Sequence, residues 1–178
     1  MMTAKQIERW WRAQRYGKLL AGITAGRTGP AYDRLTRNPT PTAAAALGLV
    51  RLCELGQQFA PITGLLVREL VESQRADGGW GDDVAVTAAA VRGLMLTGGG
   101  ISAERGVEHL RRVQREDGPF PDPAVRRMPA HGEATAAVVG LLVDLPVDID
   151  LDAALDWLGR DGKSVDAWRV RRAMLALN

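Results

Sequence analysis

Two hydrophobic patterns alternate along this chain. In one, apolar residues recur every three or four positions among charged ones, as where Val107, Leu110 and Val113 interleave with Arg111, Arg112 and Arg115. That spacing predicts an amphipathic helix with one face on a core and the other in water. In the other, nearly every position is apolar or small, as in residues 84–96 and 134–143, and a helix of that composition must be surrounded by protein. The first kind precedes the second with a glycine-rich turn between, so each pair predicts a hairpin of one outer and one inner helix.

The hairpins repeat in sequence, which marks a helical array. One copy runs Leu70-Val-Glu-Ser-Gln74-Arg-Ala-Asp-Gly78-Gly-Trp80, then Thr87-Ala-Ala-Ala-Val-Arg-Gly93-Leu94. The next answers with Leu110-Arg-Arg-Val-Gln114-Arg-Glu-Asp-Gly118-Pro-Phe120, then Ala134-Thr-Ala-Ala-Val-Val-Gly140-Leu141. A weaker first copy has Trp10, Trp11, Gln14 and Gly17, a Gly- and Pro-rich insertion, and Thr42 to Leu49; a fourth has Leu155 to Gly162 and Ala167 to Met174, with Gly159 in place of the glutamine. The expectation is one all-α domain over 1–178, with hairpins at about 3–55, 61–97, 102–143 and 150–178 and eight main helices. Thr3 to Gln6 fits a capping box, Thr40, Ser102 and Asp150 fit N-caps, and Asp-Gly at 77–78, 117–118 and 161–162 ends outer helices. The small residue in register at Gly48, Gly93, Gly140 and Ala173 predicts close helix approach, which offsets the roughly 1 kcal/mol that glycine costs inside a helix.

Composition narrows the class. With 46% hydrophobic and 25% charged residues, the chain reads as globular, and no apolar run reaches the roughly 20 residues that span a bilayer. Leu19 to Ile23 is too short for a secretory core, so a soluble, cytoplasmic protein is expected. A single cysteine, Cys53, excludes a disulfide framework within one chain. The net charge of +2 is uneven: residues 1–60 hold nine Lys or Arg against three acidic residues, giving +6, and the rest balances to −4. Arg9, Arg12, Arg15, Lys18, Arg34 and Arg37 therefore form a candidate basic surface for nucleic acid, anionic lipid or diphosphate; a solvated helix face is the alternative. Trp10, Trp11 and Tyr16 among those arginines could stack bases, or could be the inward face of an amphipathic helix.

Gln74-x3-Gly78-x-Trp80, its counterpart around Gln114, Gly118 and Phe120, and the Thr-Ala-Ala-rich helix that follows resemble the QW repeat and inner-barrel helix of squalene–hopene and oxidosqualene cyclases. The resemblance implies part of an α/α toroid of the terpene cyclase/prenyltransferase kind. It implies a structural role for Gln74 and Trp80, with Trp80 a secondary candidate for ligand contact. The family's chemistry does not carry over. No Asp-x-Asp-Asp acid occurs, the nearest strings being Asp148-Ile-Asp150-Leu-Asp152 and Gly81-Asp82-Asp83, and Arg51 stands where an Asp-x-Cys zinc pair with Cys53 needs its aspartate. Five Trp, two Tyr and two Phe make a poor aromatic lining for carbocations. Four hairpins would leave an open crescent with bare apolar helix faces, which implies a homo-oligomer or a protein partner.

If the inner helices start on one rim, Asp82, Asp83, His131, Glu133 and Asp166 surround a common mouth. Asp82, Asp83, His131 and Glu133 are then candidates for general acid–base work, and with Asp166 for holding a ligand or a divalent metal, although no cofactor is called for. Helix capping is the competing account. His109 is expected to pack rather than react, and Gly98 to Gly100 is read as a linker, lacking the Lys-Ser/Thr of a P-loop. Three functions compete: a non-catalytic binding or interaction module holding an isoprenoid or a partner helix, a reduced cyclase- or prenyltransferase-like enzyme completed by oligomerisation, and a nucleic-acid-associated protein.

Overall fold

The computed structural model describes residues 22, 25–26, 29–37, 40–121 and 132–160. These residues form seven helices and no strand: α1 (Pro30–Arg37), α2 (Pro41–Glu54), α3 (Pro61–Ser73), α4 (Val84–Leu96), α5 (Gly100–Val113), α6 (Gly132–Leu142) and α7 (Leu151–Arg160). The chain is all-α, as its periodicity predicts. The first and last expected helices, around 3–16 and 167–174, lie outside the described residues.

The division into outer and inner helices is realised. In α4 every residue from Val84 to Val91 is buried, as is every residue of α2 from Ala43 to Val50, whereas α3 buries only Thr63 and Leu70, and α5 only Ala103, Gly106 and Leu110. The inner helices pack in series, α2 on α4 and α4 on α6, and α3, α5 and α7 lie against α2, α4 and α6 respectively. Glycine permits close approach of the inner helices α2 and α4: a methyl group at Gly93 would sit 3.0 Å from a Leu49 side-chain carbon. At Gly140, in the same register, nothing lies within 4 Å of such a methyl. The close approach expected there does not occur among the described residues.

Three helix starts are capped by a side chain. Thr40 Oγ1 accepts the Ala43 amide at 3.0 Å, Asp83 Oδ1 accepts that of Ala85 at 2.9 Å, and Asp150 Oδ1 accepts that of Ala153 at 2.9 Å. Ser102, expected as an N-cap, instead lies inside α5, which begins at Gly100 without a side-chain cap.

Helix α1 has no counterpart in the repeat. It packs on α6 and more lightly on α4, with no comparable contact to an outer helix, and buries Ala31, Arg34 and Leu35. Part of the inner-layer surface that an open crescent would leave bare is therefore covered by a helix of the same chain.

Candidate functional site

The outer helices α3 and α5 each end in a turn, and the two turns share a set of hydrogen bonds. Gln74 Nε2 donates to the carbonyls of Gly78 (2.9 Å) and Ser102 (2.8 Å), and Gln114 Nε2 donates to those of Gly118 (2.9 Å) and Asp150 (2.7 Å). The Arg75 amide reaches the Gly79 carbonyl and the Arg115 amide that of Pro119, both at 3.0 Å. The amides of Trp80 and Phe120 donate to Thr87 Oγ1 (3.0 Å) and Thr135 Oγ1 (2.9 Å). Gly78 and Gly118 take φ of 87° and 107°, and a methyl group on either would collide with the carbonyl of Arg105 or Ala153 in the next outer helix.

Each turn thus seats on the following outer helix and drives its aromatic ring into the core. Trp80 and Phe120 are 0% exposed, and the Trp80 indole N–H donates to the Leu70 carbonyl at 2.7 Å. Trp80 therefore offers no surface to a ligand and acts in packing. His109 belongs to the same junction: its ring lies 2.8 Å from where a Gly79 methyl would be, and its Nδ1 is 3.1 Å from the Asp77 carbonyl. The Gly79 amide donates to the Asp77 carboxylate at 3.0 Å, holding that carboxyl below its ordinary range.

The rim carboxylates are brought together in part. Asp83 caps α4 and accepts Arg34 Nε at 3.0 and 2.9 Å. Glu133, in the first turn of α6, accepts Arg37 Nη1 at 2.9 Å and stands 3.9 Å from Arg34 Nη1. Asp83 and Glu133 thus converge on one buried guanidinium carried by α1. Asp82 turns outward, its side chain 88% exposed, to meet Arg75 at 2.7 Å. His131 and Asp166 lie outside the described residues, as do Arg9, Arg12, Arg15 and Lys18. Arg34, expected on an open basic surface, is only 7% exposed, because its partners belong to helix termini 49 and 99 residues away in sequence that no local pattern reveals. Among the described residues, no group of three or more His, Cys, Asp or Glu is placed to hold a metal.

At the opposite rim Arg92 binds Asp144 through both Nη atoms, one of them at 2.9 Å, and donates to the Leu141 carbonyl at 2.7 Å. The guanidinium holds the Asp144 carboxyl below its ordinary range, outweighing partial burial. Tyr32 of α1 donates to Glu54 at 2.9 Å, and Arg51 meets the same carboxylate at 2.9 Å. Helix α1 is thereby tied to the end of α2 as well as to the starts of α4 and α6.

A concavity lies elsewhere, between α2 and α3. It measures about 680 Å³ and is lined by Ala44, Ala45, Gly48, Leu52 and Leu55 of the α2 side and Ile62, Leu65 and Leu66 of α3, with Gly22, Ala25, Pro41, Arg51 and Glu69 completing the wall. Leu55, Ile62 and Leu65 are half-exposed or more. Sequence reasoning did not single out these residues. Their signal is a second apolar stripe on α3, where Ile62 and Leu65 lie off the face that buries Thr63 and Leu70 and Leu66 stands partly buried against the core. Nearby, burial pushes the Cys53 thiol up, which keeps it protonated at neutral pH.

No protein-family model, curated protein or solved structure matches this chain. Among the described residues, no helix is long and apolar enough to cross a membrane.

Proposed function

We propose that this protein is a non-catalytic binding module, built on a helical-hairpin repeat resembling that of terpene cyclases, which holds an extended apolar group such as an isoprenoid chain in the α2–α3 groove. The groove carries this reading: its volume of about 680 Å³ and its alanine- and leucine-rich wall fall in the range of small-molecule sites, which are concave and mostly apolar. The rim carboxylates support it from the other side. Asp82, Asp83 and Glu133 each have an arginine partner, so these side chains are engaged in ion pairs within the fold.

Titration with farnesol, followed by calorimetry, tests the reading. Micromolar binding is expected from the wild type, with at least a tenfold loss in Ile62→Asp/Leu65→Asp. Both positions are more than half exposed, so the double variant keeps its fold. Absence of binding by the wild type, or equal binding by the variant, overturns the proposal. A protein partner presenting an apolar helix would use the same wall, and retention of a peptide in place of farnesol would favour it. The basic-surface reading now rests on residues 5–27, since Arg34 and Arg37 are engaged by Asp83 and Glu133.

A further inference from the structure

The repeat shows which face of α3 meets whatever enters the α2–α3 groove. In the two turn junctions, four positions of the next outer helix meet the turn or align with those that do. On α5 they are Ser102, Arg105, Gly106 and His109: the Ser102 carbonyl accepts Gln74, the Arg105 carbonyl abuts Gly78, Gly106 lies under Trp80, where a methyl would be 2.7 Å from Cζ3, and His109 lies against Gly79. On α7 Asp150 and Ala153 do the same work for Gln114 and Gly118, and Ala154 and Trp157 align with Gly106 and His109. The aligned positions on α3 are Ile62, Leu65, Leu66 and Glu69, and all four line the groove.

Position 69 sets the polarity of this face. Its counterpart His109 makes a polar contact with the turn seated above it, Nδ1 standing 3.1 Å from the Asp77 carbonyl. A carboxylate in that place can only accept hydrogen bonds. Glu69 is exposed, and among the described residues no hydrogen bond or ion pair engages it. The other charged residue among the described lining, Arg51, is already met by Glu54 at 2.9 Å, a carboxylate that also receives the Tyr32 hydroxyl. The two charges stand at different ends of the groove. Helices α2 and α3 form a hairpin, so Glu69, two helical turns or about 10 Å beyond Ile62, falls toward the start of α2, whereas Arg51 lies in the last turn of α2. Between them the wall is apolar, with Gly48, Leu52, Leu65 and Leu66.

We propose that the α2–α3 groove selects amphiphiles with a cationic, hydrogen-bond-donating head, such as a long-chain primary amine, whose ammonium pairs with Glu69 while its tail lies along Leu66, Leu65 and Leu52. This names the ligand class of the site proposed above and rests on that reading. A primary ammonium offers three donors and no acceptor, and it stays charged at neutral pH as a lysine does. A carboxylate or diphosphate head would face Glu69 as a like charge, and the guanidinium that could receive it is engaged by Glu54. A hydroxyl head falls between the two, donating to Glu69 without a charge of its own.

The preference is tested by calorimetric titration of the full chain with farnesylamine, farnesol and farnesyl diphosphate, each below its micellar concentration and at low ionic strength. The amine is expected to bind about two- to fivefold more tightly than the alcohol, the range an exposed ion pair supplies, and the diphosphate most weakly. Added salt should narrow the gap. In Glu69→Gln the ratio of amine to alcohol affinity should fall to about one, as the loss of that ion pair requires. Glu69 is exposed, so this variant keeps its fold. Equal affinities for amine and alcohol in the wild type, a preference that survives in Glu69→Gln, or tightest binding of the diphosphate overturns the selectivity, while farnesol binding leaves the groove's function standing. If none of the three compounds binds, the function and the selectivity fall together.

Discussion

The covered seats on α5 and α7 and the groove beside α3 are built from aligned positions, yet they differ in what occupies the centre. On α5 the centre is Gly106, against which Trp80 and Val91 press so closely that a methyl would lie 2.5 Å from Val91 Cγ2. On α3 it is Leu66, flanked by the exposed Ile62 and Leu65. A small residue at the centre lets a ring sink into the core and makes the junction permanent, since close-packed interiors leave no room for exchange. A large apolar side chain there leaves a shallower, greasy wall, which suits a guest that comes and goes. The comparison teaches that the size of one residue separates a junction closed over a buried ring from an open apolar wall.

The largest test of this contrast is Trp80→Ala, expected to cost about 3–5 kcal/mol by opening a cavity under α5, against a change within about 0.5 kcal/mol for Phe59→Ala at the groove end of the molecule. Phe59 is 90% exposed. Urea denaturation of both variants would break the comparison if their costs were alike. Gly78→Ala should follow at roughly 2–4 kcal/mol, combining a left-handed backbone with collision against the Arg105 carbonyl. Gly56→Ala is the matched control: φ is 68° with nothing within 4 Å, so only the backbone strain of about 1–2 kcal/mol remains.

Smaller effects sharpen the picture. Gln74→Ala removes the contact to the Gly78 carbonyl of its own turn and the one to the Ser102 carbonyl of α5, for an expected loss of about 1–2 kcal/mol, measured as a shift in urea midpoint without a change in slope. Asp144→Asn should cost no more than about 1 kcal/mol, because its partner Arg92 is partly buried but Asp144 itself is half-exposed. Its pH signature is specific. The folded-state pKa is depressed by Arg92, so this stability is present above the usual carboxylate range near 3.8 and is lost as pH falls through the lower folded value. Thermal melts from pH 6 down should therefore show a shallower acid decline in Asp144→Asn than in the wild type.

The hairpins and their turns were legible in the sequence, because a helix period and a Gln-x3-Gly-x-aromatic turn are written within a dozen neighbouring residues. The N-caps at Thr40 and Asp150 were legible for the same reason, whereas Ser102 misled, since a good capping residue two positions into a helix looks the same as one at its start. The rim was half legible. Asp83 and Glu133 do approach one another, but the guanidinium between them comes from an eight-residue helix, Pro30–Arg37, that lies outside the repeat.

By itself, then, the sequence determined the all-α class, the alternation of outer and inner helices and the repeated turn, all consequences of local periodicity and of backbone conformations that only glycine adopts readily. The tertiary structure decided what each surface is for. Whether an arginine is a solvent charge or a buried clamp, and whether an apolar stripe is core or groove, depends on which distant segment comes to lie against it, and burial and ion pairing are properties of that encounter.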